Sequence, residues 1–156
     1  MKLKVIVICV LLLFIAINLS GCDELEPEDK FIYVTVTAKA TMEFSIGPES
    51  WADLEDMEIE MRILKSGAVK KTDSFITNED GYTIGNIYHT VKVYKEQFVR
   101  VTANLKSPLP QYMIDEGFSA QTYDYKELSW NEIRGAKSWG ETYYWNPEIN
   151  LFAYKT

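Results

Sequence analysis

Histidine and cysteine are nearly absent from this chain of 156 residues. There is one histidine, His89, and there are two cysteines, of which Cys9 sits inside an apolar leader. That scarcity excludes a disulfide framework, a Cys/His zinc site and any haem or iron–sulfur motif. Basic residues are also in short supply: 16 Lys and Arg against 23 Asp and Glu leave a net charge of −7. A broad nucleic-acid footprint needs the opposite balance, so no nucleic-acid partner is expected. No Gly-x-Ser-x-Gly elbow and no glycine-rich phosphate loop occur. A lone histidine on a strand is more often a surface residue than a general base. No catalytic residue, metal site or cofactor is therefore assigned, and a non-enzymatic protein is expected. A pair of carboxylates meeting in three dimensions, as in a hydrolase, is the alternative that a linear reading leaves open.

What is present begins with the leader. Lys2 and Lys4 precede an apolar run of 13 residues, Val5 to Ile17. At about 1.5 Å per residue this run falls short of a hydrocarbon core of about 30 Å, which suits the apolar region of a secretory signal better than a membrane-spanning helix. The next residues are Leu19-Ser20-Gly21-Cys22. They resemble a lipobox, the signal of prokaryotic lipoproteins, with an apolar residue three before the cysteine and two small residues directly before it. The resemblance implies cleavage after Gly21, a signal peptide of residues 1–21, and lipid attached to Cys22. Localisation would then be the extracytoplasmic face of the cell membrane, with the membrane itself as a partner through the lipid. An uncleaved signal anchor is the alternative. Residues 22–30 read as an acidic tether, since five of the eight residues from Asp23 to Lys30 are acids and one is proline.

From Phe31 onward the pattern changes. Ile32, Val34, Val36, Ala38, Ala40, Met42, Phe44 and Ile46 alternate with mostly polar residues, the mark of a strand with one buried face. Its length suggests a bend near Lys39 to Thr41. Gly47-Pro48 breaks it, and Ser50 to Leu54 could form one helical turn. Further strands are expected at Met57 to Ile63, Thr72 to Thr77, Tyr82 to Val93 and Gln97 to Leu105, with turns at Ser66-Gly67 and Asn78 to Gly81. Short strands separated by turns predict an all-β antiparallel sandwich, a single domain over residues 31–156.

The segment Thr77-Asn78-Glu79-Asp80-Gly81-Tyr82 resembles the Thr-x-x-Asp-Gly-aromatic turn of carboxypeptidase-regulatory-like domains. That resemblance, over residues 31–105, implies a transthyretin-like or immunoglobulin-like sandwich and a non-catalytic accessory role. The glycine-rich opening usual in that family is missing.

Residues 111–156 hold 11 of the aromatic side chains. Ser129-x-x-Glu132 predicts a short helix ending at Gly135, and residues 111–140 are expected to form a long loop or short helix within the sandwich. Strands are expected at Glu141 to Trp145 and at Ile149 to Tyr154. A strand through Tyr143-Tyr144-Trp145 must turn Tyr144 to the face opposite its neighbours. Trp130, Trp139, Tyr144 and Trp145 are the candidate ligand or partner surface, with burial in the core as the competing reading. The partner class is an envelope protein, or a glycan bound on aromatic platforms. The acidic run Glu49, Asp53, Glu55, Asp56, Glu58 and Glu60 reads as a solvated surface in preference to a cation site.

Overall fold

The computed structural model describes residues 30–44 and 54–155. The leader, Cys22, nearly all of the tether and the helical turn expected from Ser50 lie outside the described residues, except for Leu54 at the end of that turn.

Among the described residues, nine strands form two sheets. They are β1 (Ile32–Phe44), β2 (Glu58–Lys65), β3 (Ala68–Ile76), β4 (Ile87–Val93), β5 (Val99–Leu105), β6 (Phe118–Ala120), β7 (Tyr123–Leu128), β8 (Thr142–Trp145) and β9 (Glu148–Lys155). Two short helices, α1 (Gln111–Asp115) and α2 (Trp130–Ala136), lie among the later strands. The first sheet has the order β4-β1-β9-β6, with β8 also paired to β1, and the second has the order β3-β2-β5-β7. The chain is thus all-β, and its two sheets enclose one core.

Alternation builds that core. Ile32, Val34, Val36, Ala38, Ala40 and Met42 on β1 are fully buried, as are Ile59, Met61 and Ile63 on β2 and Val99, Val101 and Ala103 on β5. Although Thr35, Thr41 and Thr102 between them are buried as well, each set repeats every second residue and marks its strand's inward face. Ile149, Leu151 and Ala153 do the same on β9.

The first strand runs from Ile32 to Phe44 as one element, and between Val36 and Thr41 it exchanges neighbours. On one side, β8 pairs with Tyr33 to Val36 and β9 takes over from Lys39 onward. On the other side, β4 pairs as far as Ala38, after which Thr41 bridges Tyr82. Asn146-Pro147 separates β8 from β9, because proline has no N–H to continue a ladder. The Pro147 carbonyl still accepts from the Lys39 N–H at 3.3 Å.

Two expectations need correction. The sandwich is not wholly antiparallel: β1 runs parallel to both β8 and β9, which makes the first sheet mixed. Residues 111–140 include the expected short helix but are not otherwise a long loop. They contain α1, β6, β7 and α2. Strand β7 lies at an edge of the second sheet, and only Leu128 of its six residues is buried, so it carries no apolar alternation to read.

The turns follow local chemistry. Ser66 and Gly67 both take positive φ, 46° and 83°, which closes a two-residue hairpin between β2 and β3. In the Thr77 to Tyr82 turn, the Asn78 side chain accepts from the N–H groups of Asp80 and Tyr82 at 3.1 and 2.9 Å. Asn78, not the exposed Asp80, supplies the side-chain acceptor of this turn. Thr77 is fully buried, and its hydroxyl accepts from the Met57 N–H and donates to the Leu54 carbonyl.

Helix α2 has the expected cap. The Ser129 hydroxyl accepts from the Glu132 N–H, and the Glu132 carboxylate accepts from the Ser129 N–H at 2.8 Å and its hydroxyl at 2.6 Å. The side-chain hydrogen bond, then the backbone one, holds the Glu132 carboxyl below its ordinary pKa. The folded state therefore gains from this group above the ordinary carboxylate range and loses that gain as pH falls through the depressed value. Ser129→Ala should cost about 1 kcal/mol at neutral pH. In urea melts across pH, the gap between the variant and the parent should narrow as the solution is acidified.

Candidate functional site

Among the described residues, the outward-facing side of the first sheet carries Tyr33, Tyr82, Tyr88 and Tyr144. Register places them in rows. Lys92, Tyr33 and Thr142 lie abreast, and Thr90, Thr35 and Tyr144 form the next row. Tyr88 and Thr37 follow, then Lys39 with Glu148, then Tyr82, Thr41 and Asn150. Successive rows stand roughly 7 Å apart, two residues along a strand. Tyr144 is 71% exposed and Tyr88 60%.

Contacts within the face hold it in shape. The Thr35 and Thr90 hydroxyls are 2.9 Å apart. Lys92 lies 4.6 Å from the Phe31 ring centre and 5.8 Å from that of Tyr33, and the two rings meet edge to face at 4.9 Å. Lys39 lies over Tyr82 at 4.6 Å and reaches Glu148 at 2.8 Å. The hydrogen bond to Glu148 raises the Lys39 pKa above its usual value. The lysines are thus drawn onto rings and a carboxylate, leaving Tyr88 and Tyr144 standing into solvent.

The outer face of the second sheet is of a different kind. Glu60 sits between Arg62 at 2.7 Å and Lys106 at 3.3 Å, and Arg100 reaches Glu127 at 2.6 Å. One Glu60 oxygen is buried without a well-aligned hydrogen bond, but the two cations beside it neutralise its charge. Tyr123 and Tyr125 lie 6.1 Å apart on this face, with Arg100 stacked over Tyr125 at 4.6 Å. Ion pairs of this sort are ordinary on a solvated surface.

The four candidate residues read from the sequence divide between two places. Trp130, Trp139 and Trp145 are partly buried and pack against the core, together with Tyr143. Trp130 and Trp139 lie 5.5 Å apart, with Arg134 at 4.9 Å and Lys30 at 5.8 Å from Trp139. Tyr144 points the opposite way from Tyr143 and Trp145, as a strand requires, and joins the outer face. Phe31, Tyr33 and Tyr88 carry no surface assignment from the sequence, and Tyr82 enters there only through its turn motif. For Tyr33 the signal was there, because Ile32 and Val34, assigned inward on β1, fix their neighbour outward.

Of the acidic run, Glu49 and Asp53 lie outside the described residues, and among those described no group of three His, Cys, Asp or Glu side chains converges. Glu55, Asp56 and Glu58 are exposed. A cleft of about 270 Å³ opens where β5 ends, lined by Leu105, Leu109, Ile114, Phe118 and Ala120. No titratable side chain lines it. No helix among the described residues is long and apolar enough to cross a membrane.

The chain matches no protein-family model and no curated protein sequence.

Proposed function

We propose that this protein is a prokaryotic lipoprotein, anchored by lipid on Cys22 at the extracytoplasmic face of the membrane, whose sandwich is a non-catalytic docking module for an envelope protein. The observation that carries the docking reading is the outer face of the first sheet. Tyrosines supply large contact area at little entropic cost, and Tyr88 and Tyr144 stand exposed above a rigid sheet. Support for the anchor comes from the lipobox resemblance. The Thr77 to Tyr82 turn suits a carboxypeptidase-regulatory-like, transthyretin-like or immunoglobulin-like module of accessory type.

A glycan is the second reading. Thr37, Thr90 and Asn150 place hydroxyls and an amide between the rings, the mix of apolar platform and polar groups that sugar recognition uses.

A photo-reactive residue in place of Tyr144, in the full-length protein in its own membrane, tests the protein reading. One dominant cross-linked protein is expected, and none from Val69 on the second sheet. Tyr33→Ala with Tyr144→Ala should weaken that complex more than about tenfold, since buried aromatic anchors contribute about 2 kcal/mol or more each. Equal cross-linking from both positions would overturn the docking face. No protein adduct, with saturable oligosaccharide binding lost in the double variant, would establish the glycan reading instead.

A further inference from the structure

We infer that the β4 edge is a self-pairing surface through which two copies of this chain join their first sheets. Strand β4 ends the order of the first sheet, and among the described residues no strand pairs with its outer side. Such an edge presents a row of free N–H and C=O groups that templates another strand.

The other edges are blunted. Strands β6 and β8 have only three and four residues. Strand β3 carries Lys70, Lys71 and Asp73, and the ladder between β2 and β3 is irregular at Ile63/Leu64. Strand β7 carries Asp124, Lys126 and Glu127. Strand β4, Ile87–Val93, has seven residues, most of them β-branched or aromatic, and a single charged residue, Lys92.

The sequence of β4 is complementary to itself. Antiparallel pairing of two copies about Thr90 sets Tyr88 opposite Lys92 of the second copy, and Lys92 opposite Tyr88 of the second copy. Both pairs lie on the outer face. On the inner face the same register sets Ile87 opposite Val93 and His89 opposite Val91. Pairing about Lys92 would oppose two lysines directly, and a slip by one residue would set outward side chains against inward ones. Lys92 already lies against Phe31 and Tyr33, so Tyr88 of the second copy would add a third ring around the same ammonium group. The union would also make one continuous outer face carrying Tyr33, Tyr88 and Tyr144 twice.

Two measurements on the full-length protein in mild detergent test this. Sedimentation equilibrium should show a dimer, and Tyr88→Lys should raise its dissociation constant at least tenfold by opposing lysines in both pairs. Tyr88 is 60% exposed, so the variant should keep the parent circular dichroism spectrum. Thr90→Cys should yield an intermolecular disulfide on mild oxidation, because residue 90 faces itself across the two-fold axis. Val69→Cys, on the β3 edge, is the background control. A parent protein that stays monomeric at about 100 μM overturns the inference. So does a dimer indifferent to Tyr88→Lys with no excess cross-linking at residue 90. The docking reading is probed at Tyr33 and Tyr144, so either proposal can fail while the other stands.

Discussion

Gly81→Ala should lower the folding free energy by about 3 kcal/mol, from two separable causes. Gly81 has φ of +76°, where an L side chain costs about 1–2 kcal/mol. A Cβ there would also run into the Met42 carbonyl oxygen, a backbone atom with little freedom to yield. That approach exists because the Gly81 carbonyl accepts from the Met42 N–H at 2.8 Å, tying the turn to β1. Displacing the backbone adds about 1–3 kcal/mol, as overpacking does elsewhere. Gly67→Ala separates the causes. Gly67 has φ of +83°, but an added Cβ meets nothing within 4 Å, so only the conformational cost applies. In urea, with a slope of about 1.5 kcal/mol/M, Gly81→Ala should move the midpoint down by about 2 M and Gly67→Ala by about 1 M. Equal shifts would show that the contact with β1 adds nothing.

Cys22→Ser should abolish lipid attachment altogether. Each buried methylene contributes about 0.8 kcal/mol, so two or three acyl chains hold a protein on a bilayer where one is marginal. Grown with an alkynyl fatty acid, cells should label the parent protein and leave the variant unlabelled. A labelled variant would move the attachment elsewhere, and an unlabelled parent would remove the lipoprotein reading.

Strand positions on β1, β2 and β5 were legible because burial on one face writes a period of two into the sequence, and Ile32 to Met42 shows it without interruption. The capping box at Ser129 was legible because it is local. Pairing was not. Nothing in Thr142 to Lys155 states that these strands lie parallel to the first strand, since alternation fixes which face is buried and says nothing of the neighbour or its direction. Strand β7 was missed because an edge strand buries so little. Of the candidate site, Tyr144 could be placed by parity alone. The tryptophans could not, because their large rings serve equally as a lid on a core or as a surface, and only the packing of Trp130 on Trp139 against that core decides it.

The position of β1 has a mechanical consequence. It lies between β4, paired over seven residues, and the β8 and β9 strands, paired over four and six. If the anchor is at Cys22 and a partner grips the outer face, tension enters at the Ile32 end and runs along the strand. Strand β1 can leave only by sliding, which loads the ladders on both flanks at once, whereas an edge strand could be peeled away one bond at a time. A body strung between a membrane and a pulled partner should therefore yield at its docking contact before its fold gives way.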